Sequence, residues 1–275
     1  MGTRRWIYPG LLALVVASTL PFSPGAQAEA ACPSPSTYDS RVLADAPVAF
    51  WRLGGAGAAQ DCAGAHAGTY VGRPAATTTP NGDPATAFDG VGQYVEVPDD
   101  DALSVTRTGV LTLEAWIRPD RLEFADTEGT GYVHWAGKGV SGQHEYVTRM
   151  YSRTNSENRP NRISGYAFNR SGGLGVGSYF QDAVVAGQWI HVVLVINTVA
   201  RSDRYPTGYT MIYKNGVRRD QDDLSALGIV PGNGTAPVRI GTRDRNSFFA
   251  GAIGKVALYD RELSAATVSA HFAAM

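Results

Sequence analysis

Cysteine is nearly missing from these 275 residues, with Cys32 and Cys62 the only two. That leaves a single possible pairing within the chain. Charge is scarce as well: Asp, Glu, Lys and Arg make up 18%, and the formal net charge is −1. Such a balance offers nothing to attract nucleic acid or an anionic membrane. The one long apolar run, residues 11–20, is too short to span a bilayer, and no later segment is apolar enough to cross one. A Gly-x-Ser-x-Gly nucleophile elbow and a phosphate-cradling glycine loop are both missing. Helix signals are almost absent too.

What is present begins with an export signature. Arg4 and Arg5 form a basic region, residues 11–20 an apolar core, and Ala26, Gln27 and Ala28 a small-residue cleavage site. Residues 1–28 therefore read as a secretion leader. Paired arginines also suit twin-arginine export and Cys32 suits lipid attachment, but Glu29 stands where a lipid-attachment motif wants an apolar residue, so plain secretion is favoured. Removing 28 of 275 residues leaves 247, and it leaves 22 basic side chains against 25 acidic ones. In an oxidising compartment Cys32 and Cys62 are expected to pair, closing a loop that contributes about 3.5 kcal/mol on a chain-entropy model.

Thirty-two glycines and short, alternating apolar segments closed by turn residues argue for a sheet protein. Strands are expected at 49–53, 85–89, 93–97, 110–118, 132–138, 145–151, 162–168, 175–180, 189–197, 208–214, 237–241 and 252–260. Asn215-Gly216 predicts a tight hairpin, and Asp89-Gly90-Val91-Gly92 a second, longer one. Residues 77–84 read as a loop. Only the tail looks helical, with Ser264 as N-cap and Val268 and Phe272 on one face. A dozen antiparallel strands must bury one face, and a second sheet is the economical partner. The expected fold is all-β, a two-sheet antiparallel sandwich with a short C-terminal helix. An N-terminal arm at 29–41, tied by the disulfide, precedes one domain at 42–275.

Catalytic groups are sparse. In the strand LTLEAWIRP, Glu114 shares a face with Thr112, Trp116 and Arg118, so no second carboxylate lies two positions away. Glycoside hydrolysis needs a pair. Glu114 is therefore expected to be scaffold or a paired surface carboxylate, and its replacement by glutamine to leave the fold intact. His191 sits in a strand apolar on both faces and reads as a hydrogen-bonded core residue. His134 and His144 flank a glycine-rich turn without an obvious third zinc ligand. Asp89, Asp99, Asp100, Asp101, Asp222, Asp223 and Asp244 fall in expected loops, so structural calcium stays possible beside the plainer reading that they cap turns. No cofactor is certain.

For ligand binding, aromatic residues alternate with polar and basic ones between 132 and 180: Trp135, Tyr146, Arg149, Tyr151, Arg162, Tyr166 and Tyr179. Rings pack on sugar faces while arginine fixes hydroxyls, although the same residues also suit ordinary core and sheet positions.

Six ordered blocks then carry a resemblance: VLADAPVAFWRLG at 42–54, ATAFDGVGQYVEVPD at 85–99, LTLEAWIRP at 111–119, QWIHVVLVIN at 188–197, IYKNGV at 212–217 and GAIGKVALYDRELSAATVSAHF at 251–272. Together they resemble the LamG-like jelly-roll domains of secreted bacterial proteins, in the concanavalin A-like lectin and glucanase superfamily. The resemblance implies a jelly roll of two curved antiparallel sheets whose usual occupation is binding rather than catalysis. The glucanases of that superfamily carry Glu-x-Asp-x-x-Glu on one strand, and this chain has only the first acid. Many relatives have Asp-Glu where Gly254 and Lys255 stand, which puts any role of that acidic pair in doubt here. Residues 141–173 fit the pattern least, so ligand choice is expected there. The expectation is a secreted, extracellular, non-enzymatic lectin-like module for a glycan or a protein partner, with no transmembrane segment in the mature chain. The alternatives are a carbohydrate-active enzyme, such as a glucanase or polysaccharide lyase, and a structural or adhesive exoprotein.

Overall fold

A computed structural model describes residues 1–3, 32, 34–55, 57–125 and 128–275. The expected leader at 1–28 lies outside the described residues apart from 1–3, as do residues 29–31 and 33 of the expected arm. The chain runs α1 (Thr37–Ala44), β1 (Ala49–Trp51), β2 (Ala58–Ala59), β3 (Gly68–Val71), β4 (Ala75–Thr78), β5 (Pro84–Asp89), β6 (Tyr94–Val97), β7 (Val110–Pro119) and β8 (Tyr132–Val140). It continues with β9 (Gln143–Tyr151), β10 (Ile163–Ala167), β11 (Val176–Phe180), β12 (Ile190–Asn197), β13 (Tyr209–Lys214), β14 (Val217–Asp223), β15 (Val238–Ile240), β16 (Ala250–Tyr259) and α2 (Ala265–Ala273).

These strands form two eight-stranded antiparallel sheets. The first runs β14-β13-β12-β7-β16-β5-β4, with β1 also on β16, and the second runs β11-β10-β9-β8-β15-β6-β3-β2. The architecture is the expected jelly-roll sandwich with a short C-terminal helix. Between the sheets lie Leu111, Leu113, Ile117, Val192, Leu194, Ile196 and Val256 from the first, facing Trp135, Tyr146, Met150, Ile163, Val95 and Ile240 from the second. Period-two alternation puts these residues inward.

Three expectations about connections and helices change. Asn215 and Gly216 both take positive φ, 49° and 79°, and join β13 to β14 as a tight hairpin, as their chemistry demands. Residues 89–92, by contrast, cross between sheets, since β5 pairs with β16 and β4 while β6 pairs with β15 and β3. Asp89 Oδ1 accepts from the N–H groups of Val91 and Gly92, which sets the turn but not the next partner. The stretch expected as a loop at 77–84 is itself a hairpin, because residues 77 and 78 end β4 and β5 begins at Pro84.

An N-terminal helix is the third change. Ser36 Oγ accepts from Asp39 N–H and Asp39 Oδ2 accepts from Ser36 N–H, a reciprocal cap that starts α1. This helix, α2 and the Cys32–Cys62 disulfide cover the outer face of the first sheet. Tyr38 and Val42 of α1 and Val268 of α2 pack there on Trp116, Val193, Val195, Met211 and Tyr259. That second core explains why β7 and β12 are apolar on both faces. Lys255, in the last-strand position noted above, pins α1 to the sheet: its fully buried Nζ lies 2.5 Å from Asp39 Oδ1 and 2.8 Å from Asp83 Oδ2.

Candidate functional site

Glu114 is buried scaffold, not a surface carboxylate. It projects from β7 into the second core, where its exposure is 0%. Tyr38 OH donates to Oε1 at 2.7 Å and Tyr259 OH to Oε2 at 3.2 Å. His191 Nε2 lies 2.8 Å from Oε1, and His271 Nδ1 lies 2.9 Å from Oε2. The far nitrogen of His271 reaches Asp45 Oδ2 at 3.0 Å. Burial alone pushes the Glu114 pKa up, but the hydrogen bonds and charges of His191 and His271 outweigh it and hold the carboxyl well below the usual range. His271 shows the mirror effect: burial lowers its pKa, and its bonds to Glu114 and Asp45 raise it further than burial lowers it. An acid beside two histidines would be able to move protons, but no path for a substrate reaches a group with no exposed surface. His191 is the hydrogen-bonded core residue that its strand predicted.

The site that solvent reaches lies on the outer face of the second sheet. It is a cavity of about 590 Å³ walled by β8, β9, β10 and β11 and by the end of β14 with the turn after it. Five of the seven expected residues line it: Arg149, Tyr151, Arg162, Tyr166 and Tyr179. Trp135 and Tyr146 do not. Both are fully buried between the sheets, where the Tyr146 hydroxyl donates to Leu103 O at 3.0 Å. The reason is strand alternation: Trp135 follows His134, which pairs with Arg149 on the outer face, and lies two positions from the inward-facing Val133, while Tyr146 sits three positions from Arg149 on the opposite face of β9.

Sequence reasoning missed Tyr132, Glu157, Arg159, Phe168, Leu174, Asp222 and Leu227, which complete the wall. A signal for some of them was present, since eight of the lining residues fall in the poorly fitting segment 141–173 named above. Asp222 and Leu227 come from beyond that segment; Asp222 stood out only as a possible calcium ligand, and Leu227 carries no local mark.

Guanidinium groups lie over the rings. The Cζ atom of Arg149 is 4.3 Å from the centre of the Tyr132 ring and 4.6 Å from that of Tyr166. The corresponding distance is 3.8 Å for Arg162 and Tyr179, and 5.4 Å for Arg159 and Tyr151. Tyr166 lies flat because its cross-strand neighbour is Gly177, where any Cβ would collide with the ring. Arg149 Nε donates to His134 Nε2 at 3.1 Å, and His134 Nδ1 stands 2.8 Å from Glu128 Oε2 and 3.7 Å from Asp244 Oδ1. Asp222 is the unusual acid: burial and the neighbouring Asp220 carboxylate raise its pKa to about 6, and one of its oxygens is buried without a hydrogen-bond partner.

Glu128, His134 and Asp244 bring one oxygen or nitrogen each to within 4.8 Å of one another, the spacing of a metal site. The donors do not fit one. Arg149 N–H points at His134 Nε2, which fixes the ring proton on Nδ1, the atom a metal would need bare. Ser247 donates to Glu128, and Arg243 pairs with Asp244. The other candidate calcium ligands are engaged as caps or in polar contacts: Asp100 caps Ala102, Asp223 caps Ser225, Asp99 meets Lys138 Nζ at 2.7 Å, and Asp101 accepts from Asn233. A depression of about 530 Å³ beside α1 contains no aromatic ring.

A family model described as the concanavalin A-like lectin/glucanases superfamily matches residues 89–269. No curated protein matches the chain in sequence. Among solved structures, domain 4 of AbnA, a GH43 extracellular arabinanase from Geobacillus stearothermophilus in complex with arabinotriose, is 15% identical at a TM-score of 0.57. That match covers 82% of this chain and 97% of the other. The ligand binding domain of botulinum neurotoxin serotype D, in complex with N-acetylneuraminic acid, is 12% identical at 0.59, covering 86% and 52%. A botulinum neurotoxin DC binding domain in complex with rat synaptotagmin II is 13% identical at 0.58, covering 83% and 51%. The chain thus spans about half the length of the toxin domains, and at these identities the likeness is one of fold. No helix among the described residues is long and apolar enough to cross a membrane.

Proposed function

The chain belongs to the concanavalin A-like lectin/glucanases superfamily, and from that premise we propose that it is an exported, non-enzymatic module that holds an extracellular glycan in the cavity between β8 and β14. One observation carries this reading: residues 149, 151, 162, 166 and 179, on β9, β10 and β11 and just before β10, converge on a single open hollow of a size suited to a few sugar units. Rigid strands hold them, so little ordering cost attends binding. The matched domains whose titles name arabinotriose, a sialic acid and a synaptotagmin lend support to binding as the role, by analogy of fold alone. A disulfide between Cys32 and Cys62 fits an oxidising, extracellular setting.

Polysaccharide pull-down with the wild type, Tyr166→Ala and Tyr179→Ala tests it. Retention of the wild type with loss in both variants is expected; equal retention of all three would move the binding surface elsewhere. A second reading, a glycan-cleaving enzyme, draws on the raised carboxyl of Asp222 in the cavity wall. The acid beside Asp222, Asp220, lies outside the cavity wall and accepts from the N–H groups of Tyr179 and Gln221 at 3.0 Å each, while Asp223 is spent on its cap and Glu157 pairs with Arg159 at 2.6 Å. Reducing-sugar and unsaturated-product assays separate the two.

A further inference from the structure

A neutral sugar bound by stacking needs bare aromatic faces, and in this cavity guanidinium groups already lie over the rings. Arg149 covers Tyr132 and Tyr166, and Arg162 covers Tyr179. What the wall offers an incoming ligand is therefore guanidinium edges, held flat by the rings beneath them. These arginines differ in what they have left to give. Arg159 pairs with Glu157 and donates to Tyr151 OH at 3.0 Å. The Nε of Arg162 donates to Gln181 Oε1 at 3.0 Å. The Nη edges of both Arg149 and Arg162 have no carboxylate partner among the described residues, but only Arg149 lies over two cavity-wall tyrosine rings with its Nε fixed in a part-buried bond to a histidine, whereas the Arg162 bond is exposed.

We propose that the cavity recognises an acidic saccharide, and that the ligand's carboxylate docks end-on across the two Nη atoms of Arg149. This rests on the glycan-binding reading above and narrows its ligand class. The end-on fork follows from geometry: the alternative side-on fork uses Nε, which His134 already takes at 3.1 Å. His134 is a positioning residue here. Its other nitrogen faces Glu128 and Asp244, so the ring, and through it the Nε side of a guanidinium that lines the cavity, is fixed from behind. Two rings shield Arg149 from water, which strengthens its pairing with an anion and disfavours a ligand without one.

The carboxylate has two chemical sources, an in-chain uronate or a terminal 2-ulosonate, and the test carries an arm for each. Titration calorimetry would compare trigalacturonate and the methyl glycoside of a 2-ulosonic acid with the methyl ester of each, all on the wild-type chain. The expected result is binding of at least one acid, weakened on the order of tenfold or more by esterification. Arg149→Gln should abolish the difference between acid and ester, while Arg149→Lys keeps the charge, loses the fork and lands between. Because esterification alters only the ligand, a folding defect in either variant leaves the comparison intact. Equal affinity for acid and ester overturns the proposal, as does tighter binding of uncharged oligosaccharides that Tyr166→Ala removes; in both cases the glycan-binding reading survives. Absence of binding by acids, esters and uncharged sugars alike overturns both.

Discussion

Replacing Glu114 with glutamine probes how the second core is held together. The carboxylate accepts from two tyrosines and faces two histidines, all within 3.2 Å and all buried. Glutamine keeps one acceptor but turns an NH2 toward groups that themselves donate, and it leaves His271 without its main counter-charge. Breaking a buried, hydrogen-bonded charge pair from one side costs about 3–5 kcal/mol. For a domain of this size that lowers the melting midpoint by roughly 10 °C. Urea and thermal unfolding followed by circular dichroism measure it directly. The pH dependence gives a second readout. The Glu114 carboxyl is held below its unfolded value of 4.5, so its contribution is complete above that value and fades as pH falls toward the folded one. The pKa of His271 lies above its unfolded value of 6.5, so its share is complete below that value and fades as pH rises through the folded one. From these two groups the wild type is therefore most stable between about pH 4.5 and 6.5, and Glu114→Gln should flatten both flanks. A loss under about 0.5 kcal/mol, or an unchanged pH profile, would refute the hub.

Lys255→Met, which leaves Asp39 and Asp83 facing a buried apolar chain, should cost about 3–5 kcal/mol and loosen α1, read by hydrogen exchange at residues 37–44. Reducing Cys32–Cys62 should remove about 3.5 kcal/mol from a loop spanning 30 positions, with the same helix losing protection first. Asp222 faces Asp220 on its own strand and Ser178 across from it, and its pKa is raised to about 6. The affinity for an acidic sugar should therefore rise as pH falls through about 6, and Asp222→Asn should abolish that slope.

Strands such as 93–97 and 189–197 were legible because alternation and turn residues are local signals. The crossover at 89–92 was not, since Asp89 and Gly90 shape a turn identically whichever sheet the chain enters next. Helix α1 escaped notice although Ser36 and Asp39 spell a reciprocal cap, because only Tyr38 and Val42 mark its buried face. Glu114 is the expected scaffold, but buried rather than on the surface, for its partners lie at 38, 191, 259 and 271, out of reach of any local pattern. Arg149, Tyr166 and Tyr179 were found by alternation within β9, β10 and β11. Trp135 and Tyr146 lie inward by the same alternation, since Trp135 shares a face with Val133 and Tyr146 with Met150; composition alone, aromatic beside basic, does not tell which face a ring takes.

A crystal structure of the chain soaked with trigalacturonate or a 2-ulosonate glycoside tests the central claim most directly. The account predicts a sugar in the cavity walled by β8 to β11, its carboxylate within hydrogen-bond distance of both Nη atoms of Arg149. Sugar bound at another face, with Arg149 still stacked on Tyr132 and Tyr166 and touching nothing else, would contradict it.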